Sequence, residues 1–250
     1  MISKENDRVY LKNCSASTVI TPEIKEKILY NYKSISNSKL TVVPSGSNTD
    51  LFRPMDRNKC LEKRKLKKEN QYIGFVGSLL KYQGVNILIE AAPLVIAKIP
   101  RAHFIIIGEG PMREEWVNTV KKKGLTGKFT FTGQIDYKEL PGLIGCMDIC
   151  EAPFMETVGY SSPVKIFDYM SCGRPIIASD VDGTTGVFRY SEAVHLVPPE
   201  SPDALARSII KIIDDEKLLK HMGAMGRKFA LEKYDRKKLV NRIDRILLSL

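Results

Sequence analysis

The sequence holds one tryptophan and three histidines in 250 residues, and its five cysteines are an odd number without a paired spacing. Cys146 and Cys150 are four apart, but no second Cys or His pair lies near them, so a zinc site is not expected. Reduced, mostly buried thiols in a cytoplasmic protein are the plain expectation. No apolar run approaches the roughly 18 residues that a membrane span needs. The start, MISKENDRVYLKN, has no apolar core, so a secretory signal is not expected. Acids are in the minority: 39 Lys and Arg stand against 29 Asp and Glu, a formal charge of +10. That balance suits an anionic partner, whether nucleotide, nucleic acid or anionic membrane surface, without choosing among them. A nucleic-acid reading lacks a recognition motif or a platform of stacked aromatics, so no nucleic-acid partner is expected.

What is present is an apolar content of 43%, enough to bury a sizeable core. From Gln71 onward, short apolar runs alternate with helical patterns. Tyr72–Val76, Ala102–Ile107, Phe129–Gly133, Ile149–Pro153, Ile176–Ala178 and Val194–Val197 read as strands. Short glycine-bearing turns between them predict a parallel sheet covered by helices on both faces, an α/β fold of Rossmann-like type. Ligands of such sheets sit beyond the carboxyl ends of the strands. The turns at Gly77, at Gly108–Gly110, at Thr132-Gly133 and at Ser161–Pro163 should all lie at that edge.

The chain divides into three parts. Residues 1–50 carry a short strand–helix–strand unit, with Thr21 capping and Pro22 opening the helix. This is too small for a sheet of its own and reads as the last unit of a larger one, the remnant of an amino-terminal domain. Residues 51–70 read as a basic linker, a solvated face or a contact with acidic lipid. Residues 71–250 form the main domain.

The stretch SSPVKIFDYMSCGRPIIASD, residues 161–180, is the centre of the pattern. Ser162 suits an N-cap, Pro163 the first helical position and Gly173 the stop. Such a helix start offers free N–H groups and the positive end of a dipole, a natural anion site. Lys165 and Asp168 fall in its first two turns, and Asp168 could accept bonds from a pair of hydroxyls such as those of a ribose. An ordinary capped helix packed on a sheet explains the same spacing.

Five segments in order, TVVPSGSNTDLFRP, FVGSLLKYQGVNILIEA, FIIIGEGP, FTFTGQI and SSPVKIFDYMSCGRPIIASD, resemble the carboxyl-terminal half of a GT-B fold glycosyltransferase of family 4, the large retaining group. The resemblance covers about residues 16 to 245. It implies that this half binds a nucleotide-sugar donor and that an amino-terminal Rossmann-like domain binds the acceptor. The base would lie against Thr132-Gly133-Gln134, the diphosphate at Ser162-Pro163-Val164-Lys165, and the ribose on Asp168. The implied reaction is retaining transfer without metal or cofactor, the nucleotide sugar being a substrate. Stabilising the developing diphosphate charge would be the protein's main task.

The family pattern is not fully kept. Its paired Glu residues correspond to Tyr160 and Asp168, with Glu156 nearby as a substitute for the first. Two cations that normally face the diphosphate are replaced by Ser78 and Gln83, leaving Lys81 and Lys165 to compensate. The expected site is therefore Lys165 and Asp168 in catalytic roles. Gly77, Ser78, Lys81, Gln83, Gly108, Gly110, Thr132, Gly133, Gln134, Glu156, Tyr160, Ser161, Ser162, Pro163 and Val164 join them around the donor. No histidine is carried over. The chain is shorter than a complete enzyme of that family, which implies a partner chain supplying the acceptor domain or a truncated reading frame. The expected function is the donor-binding half of a glycosyltransferase of cell-surface polysaccharide or glycolipid assembly. UDP sugar is the first choice of donor, and the expected place is the cytoplasm or the inner face of the membrane. A non-catalytic sugar-nucleotide-binding subunit is the alternative. An epimerase of the same fold would need acid and base residues that the sequence does not offer.

Overall fold

The computed structural model describes residues 4–156 and 164–249. Tyr160, Ser161, Ser162 and Pro163 lie outside the described residues. The amino-terminal unit comprises α1 (Lys4–Asn13), β1 (Ser17–Val19), α2 (Pro22–Asn31) and β2 (Leu40–Val42). The strands β1 and β2 pair in parallel as a sheet of two. Thr21 caps α2 by accepting from the Ile24 N–H at 3.2 Å, and Pro22 occupies the first position, where a missing N–H costs nothing. The core of this unit is small: Val19, Ile35 and Leu40 are its buried residues.

Within the stretch expected to be a linker lies a helix, α3 (Arg57–Lys63). Asp56 caps it at the Lys59 N–H, and Cys60 and Leu61 are buried. The physical reason is that the run is basic on one side only. Arg57 pairs with Asp148 at 2.8 Å, whereas Lys59, Lys63, Lys65, Lys67 and Lys68 remain exposed.

The main sheet has six parallel strands: β3 (Gln71–Val76), β4 (Ala102–Ile107), β5 (Phe129–Gly133), β6 (Ile149–Ala152), β7 (Ile176–Ser179) and β8 (Val194–Val197). Their spatial order is β5-β4-β3-β6-β7-β8. This is the doubly wound order, which runs outward both ways from a switch point between β3 and β6. Alternate residues feed two cores. Ile73, Phe75, Phe104, Ile106 and Ile177 face one layer, with α4 (Val85–Lys98), α5 (Arg113–Lys122) and α9 (Pro202–Ile213). Tyr72, Ile105, Ile107, Ile176 and Ala178 face the other. There they meet α3, α6 (Leu140–Ile144), α7 (Val164–Ser171), α8 (Thr185–Phe188) and Tyr234. The last helices are α10 (Glu216–Lys233) and α11 (Arg236–Leu248), capped by Asp215 and Asp235. Side chains such as Trp116, Phe104 and Phe167 are almost wholly buried, each contributing on the order of 2–3 kcal/mol by removal from water.

Candidate functional site at the strand ends

The turn after β3 is drawn across the switch point. Gly77 donates to Ile107 O at 2.9 Å, and Leu79 donates to Glu109 O at 2.8 Å. Gly108 in turn donates to Gly133 O at 3.0 Å, so the turns after β3, β4 and β5 are knitted together. Gly84 ends the turn with φ +70°, in the left-handed region, and a Cβ there would overlap Pro153 O. Only glycine lets the start of α4 close against the end of β6.

A cavity of about 290 Å³ opens at these ends, lined by Gly77, Ser78, Gly108, Glu109, Gln134 and Leu140 with Val76, Ile107 and Ile135. A larger cavity, about 710 Å³, lies elsewhere, between α3 and residues 138–142. Its Lys63 and Arg64 are already paired with Glu139, and it includes none of the glycine turns. The smaller cavity is therefore the better candidate.

Lys165 is a cation beside that edge. It stands in the first turn of α7, and its Nζ donates to Gln83 Oε1. The same nitrogen lies 3.9 Å from the centre of the Phe75 ring and 5.0 Å from that of Phe154. Phe75 belongs to β3 and Phe154 follows β6, so the ammonium sits at the switch point itself. It is also 2.9 Å from where a Gly77 Cβ would be. Burial pushes its pKa well below the ordinary lysine value, because little around it replaces water.

Asp168, one turn further along α7, points to a different group of partners. Ser47 Oγ donates to its Oδ1 at 2.6 Å. Burial raises the Asp168 pKa to about 6, against the opposing effects of the Ser47 bond and the nearby Arg236 guanidinium.

The other expected residues spread over the edge. Ser78, Gln134 and Lys81 are exposed, Thr132 is half-buried and Gly133 is buried. Gly110 sits against Leu79. Val164 opens α7 and is exposed. Glu156 is exposed, and its N–H donates to Glu200 Oε1 at 3.3 Å. Of the histidines, His103 bonds Thr130 at 2.8 Å, His195 bonds Ser208 at 3.1 Å, and His221 pairs with Glu192. Among the described residues no group of three or more His, Cys, Asp and Glu is placed to hold a metal ion.

Two residues escaped the reading of the sequence. Ser47 carries no local signal, since its partner is 121 positions away. Glu151 lies inside β6, wholly buried, and neither of its carboxyl oxygens has a hydrogen-bond partner. Burial lifts its pKa well above the ordinary carboxylate range, so it is held as the neutral acid.

Doubly wound order, helices on both faces and a glycine-turn edge define a Rossmann-like α/β domain of the GT-B type. The sequence model of the family described as glycosyl transferases group 1 matches residues 70–215. The chain belongs to that family. It is 28% identical over 172 residues to a phosphatidyl-myo-inositol mannosyltransferase of Mycobacterium tuberculosis, covering 66% of this chain and 43% of that protein. It is 26% identical over 161 residues to an alpha-D-kanosaminyltransferase of Streptomyces kanamyceticus, covering 64% and 41%. The chain thus spans about two fifths of the length of these relatives. The fold is similar to that of Anabaena HepE, solved in complex with UDP: TM-score 0.84, 18% identity, 97% of this chain and 66% of that one. No helix among the described residues is long and apolar enough to cross a membrane.

Proposed function

We propose that this chain is the donor-binding half of a glycosyltransferase, holding a nucleoside diphosphate sugar, with UDP sugar as first choice. The observation that carries the reading is the Lys165 ammonium at the switch point, beside a cavity edged by three strand-end turns. Family membership supports transfer as the reaction, and the similar fold of a UDP-bound protein supports the base. The base would lie against Thr132, Gly133 and Gln134, the diphosphate at the start of α7, and the ribose hydroxyls on Asp168.

In this reading the bond between the sugar's anomeric carbon and the diphosphate breaks, and the electron pair leaves with the diphosphate. An acceptor hydroxyl then bonds that carbon through its oxygen on the same face and gives up its proton to the departing diphosphate, retaining the configuration without a metal, as the family resemblance implies. Lys165 faces the charge that develops. In a site with little water, one preorganised cation does more than it would in bulk solvent. Gln83 answers the loss of a cation at its position: a lysine there would repel Lys165, whereas its amide oxygen orients it.

The acceptor domain would come from the part of such a protein not in this sequence or from a partner chain. The exposed Val240, Ile243, Leu247 and Leu248 on α11 offer an apolar face for it. The exposed lysines of α3 and the following turn suit the inner face of an anionic membrane. A non-catalytic sugar-nucleotide-binding subunit is the second reading, favoured by exposed Ser78 where the family has an arginine.

Calorimetric titration of the purified chain with UDP and then GDP, beside Asp168→Ala, tests the proposal. Micromolar UDP binding that is lost in the variant is the expected result. Folded protein that binds neither nucleotide would sink it.

A further inference from the structure

Ser47 lies in the segment between β2 and α3 and is wholly buried. Its backbone is fixed at both ends. Its N–H donates to Tyr234 O at 2.9 Å, and its carbonyl accepts from Arg236 N at 2.9 Å. The next residue back, Gly46, is pressed so closely on Tyr234 that a Cβ would overlap the Tyr234 carbonyl. Thr49, two residues on, donates to Asp235 Oδ2. The Ser47 hydroxyl therefore has little freedom beyond rotation, and it meets Asp168 Oδ1 at 2.6 Å.

An ionised carboxyl only accepts, so the hydroxyl donates. Such a carboxylate offers about four lone-pair sites. One is taken by Ser47, which leaves Oδ2 and the rest of Oδ1 for the two hydroxyls of a ribose. Asp is one methylene shorter than the family's Glu at this position, so it reaches less far and depends more on being aimed. We propose that Ser47 is a positioning residue for the donor: its hydroxyl orients Asp168 to take the ribose diol. This rests on the reading of Asp168 as the ribose acid. The groups that face Asp168 are Ser47 itself, the Arg236 guanidinium at the start of α11, the buried neutral Tyr169 on its own helix and, just past the end of that helix, the buried neutral Cys172. The hydroxyl and the guanidinium favour the ionised form, and burial opposes it.

The test has two arms on the full chain, with Ser47→Ala and, to keep the volume if the alanine fails to fold, Ser47→Cys. The first follows the Asp168 carboxyl by carbon NMR through a pH titration of the free protein. The second compares the Kd of UDP with that of 2′-deoxy-UDP. Losing the hydroxyl should move the Asp168 midpoint upward by about one pH unit. It should also weaken UDP by about three- to tenfold and shrink the preference for UDP over 2′-deoxy-UDP. Ser47→Thr, which keeps the donor, should restore that preference.

A midpoint and preference that stay at wild-type values in both Ser47→Ala and Ser47→Cys would overturn the inference. If Asp168→Asn lowers the preference and Ser47→Ala does not, this inference alone falls. If Asp168→Asn leaves the preference unchanged, the ribose reading of Asp168 falls and takes Ser47's role with it, even where Ser47→Ala still moves the midpoint.

Discussion

Lys165 of α7 and Gln83 of the turn before α4 are joined by a hydrogen bond across the switch point. The two residues are 82 apart in sequence, and the amide oxygen is the hydrogen-bond partner of an ammonium otherwise set among Phe75, Phe154 and the Gly77 turn. An amine this poorly hydrated holds its proton best when an anion lies beside it.

Lys165→Met should weaken UDP binding by roughly 10- to 100-fold, the usual weight of a hydrogen bond to a charged group. The same change should raise thermal stability, because it removes a desolvated amine and keeps the aliphatic stem. Titration calorimetry and a melting curve measure the two effects. A variant that lost both affinity and stability would point to a merely structural lysine.

Proton uptake should accompany nucleotide binding. Burial lowers the Lys165 pKa in the free chain, and a diphosphate beside it favours the charged form and raises it again. In buffers of different ionisation enthalpy, the apparent heat of UDP binding should change with the buffer. The dependence should disappear in Lys165→Met.

Much of the fold can be read from the chain, and the reasons are local. Thr21-Pro22, Ser201-Pro202 and the Gly173 stop act within one helical turn. The apolar runs of the four inner strands β3, β4, β6 and β7 are buried on both faces, as parallel strands in a covered sheet must be, while β5 and β8 at the edges are only partly so. The candidate site is less legible. The glycine turns line one cavity, as strand-end turns in such a sheet do. By contrast, Gln83 reads as a lost cation until its partner is seen, and Ser47 meets Asp168 only through tertiary folding. The helix α3 is hidden because its three basic residues, Arg57, Lys59 and Lys63, outnumber the two residues it buries.

Glu151→Met should stabilise the chain by about 1–3 kcal/mol, because a buried carboxyl without partners is replaced by an apolar side chain of similar length. In melting temperature that is about 2–10 °C. The pH dependence has a definite sign. The folded pKa of Glu151 is raised, so its stabilising influence is complete below the ordinary value of 4.5 and fades as pH rises. Asp168 acts in the same direction between 3.8 and about 6. The wild type should therefore melt at falling temperatures as pH rises from 4 to 7, and Glu151→Met should show a shallower decline. An equal slope in both would refute the assignment.

The apolar stripe of α11 should drive association of the isolated chain. Val240, Ile243 and Leu247 are 47%, 36% and 61% exposed, on one helical face. Changing all three to Glu should shift sedimentation toward the monomer at little cost in stability, since none is buried. Unchanged association would place the contact elsewhere.

The two-stranded sheet of β1 and β2 rests on three buried side chains, whereas the six-stranded sheet lies between two extended cores. The two parts should therefore open separately. Backbone amides of Ser17–Val19 and Leu40–Val42 should exchange with solvent long before those of β3 and β6. A protease would then trim the first 40 or so residues and leave the strand-end edge whole.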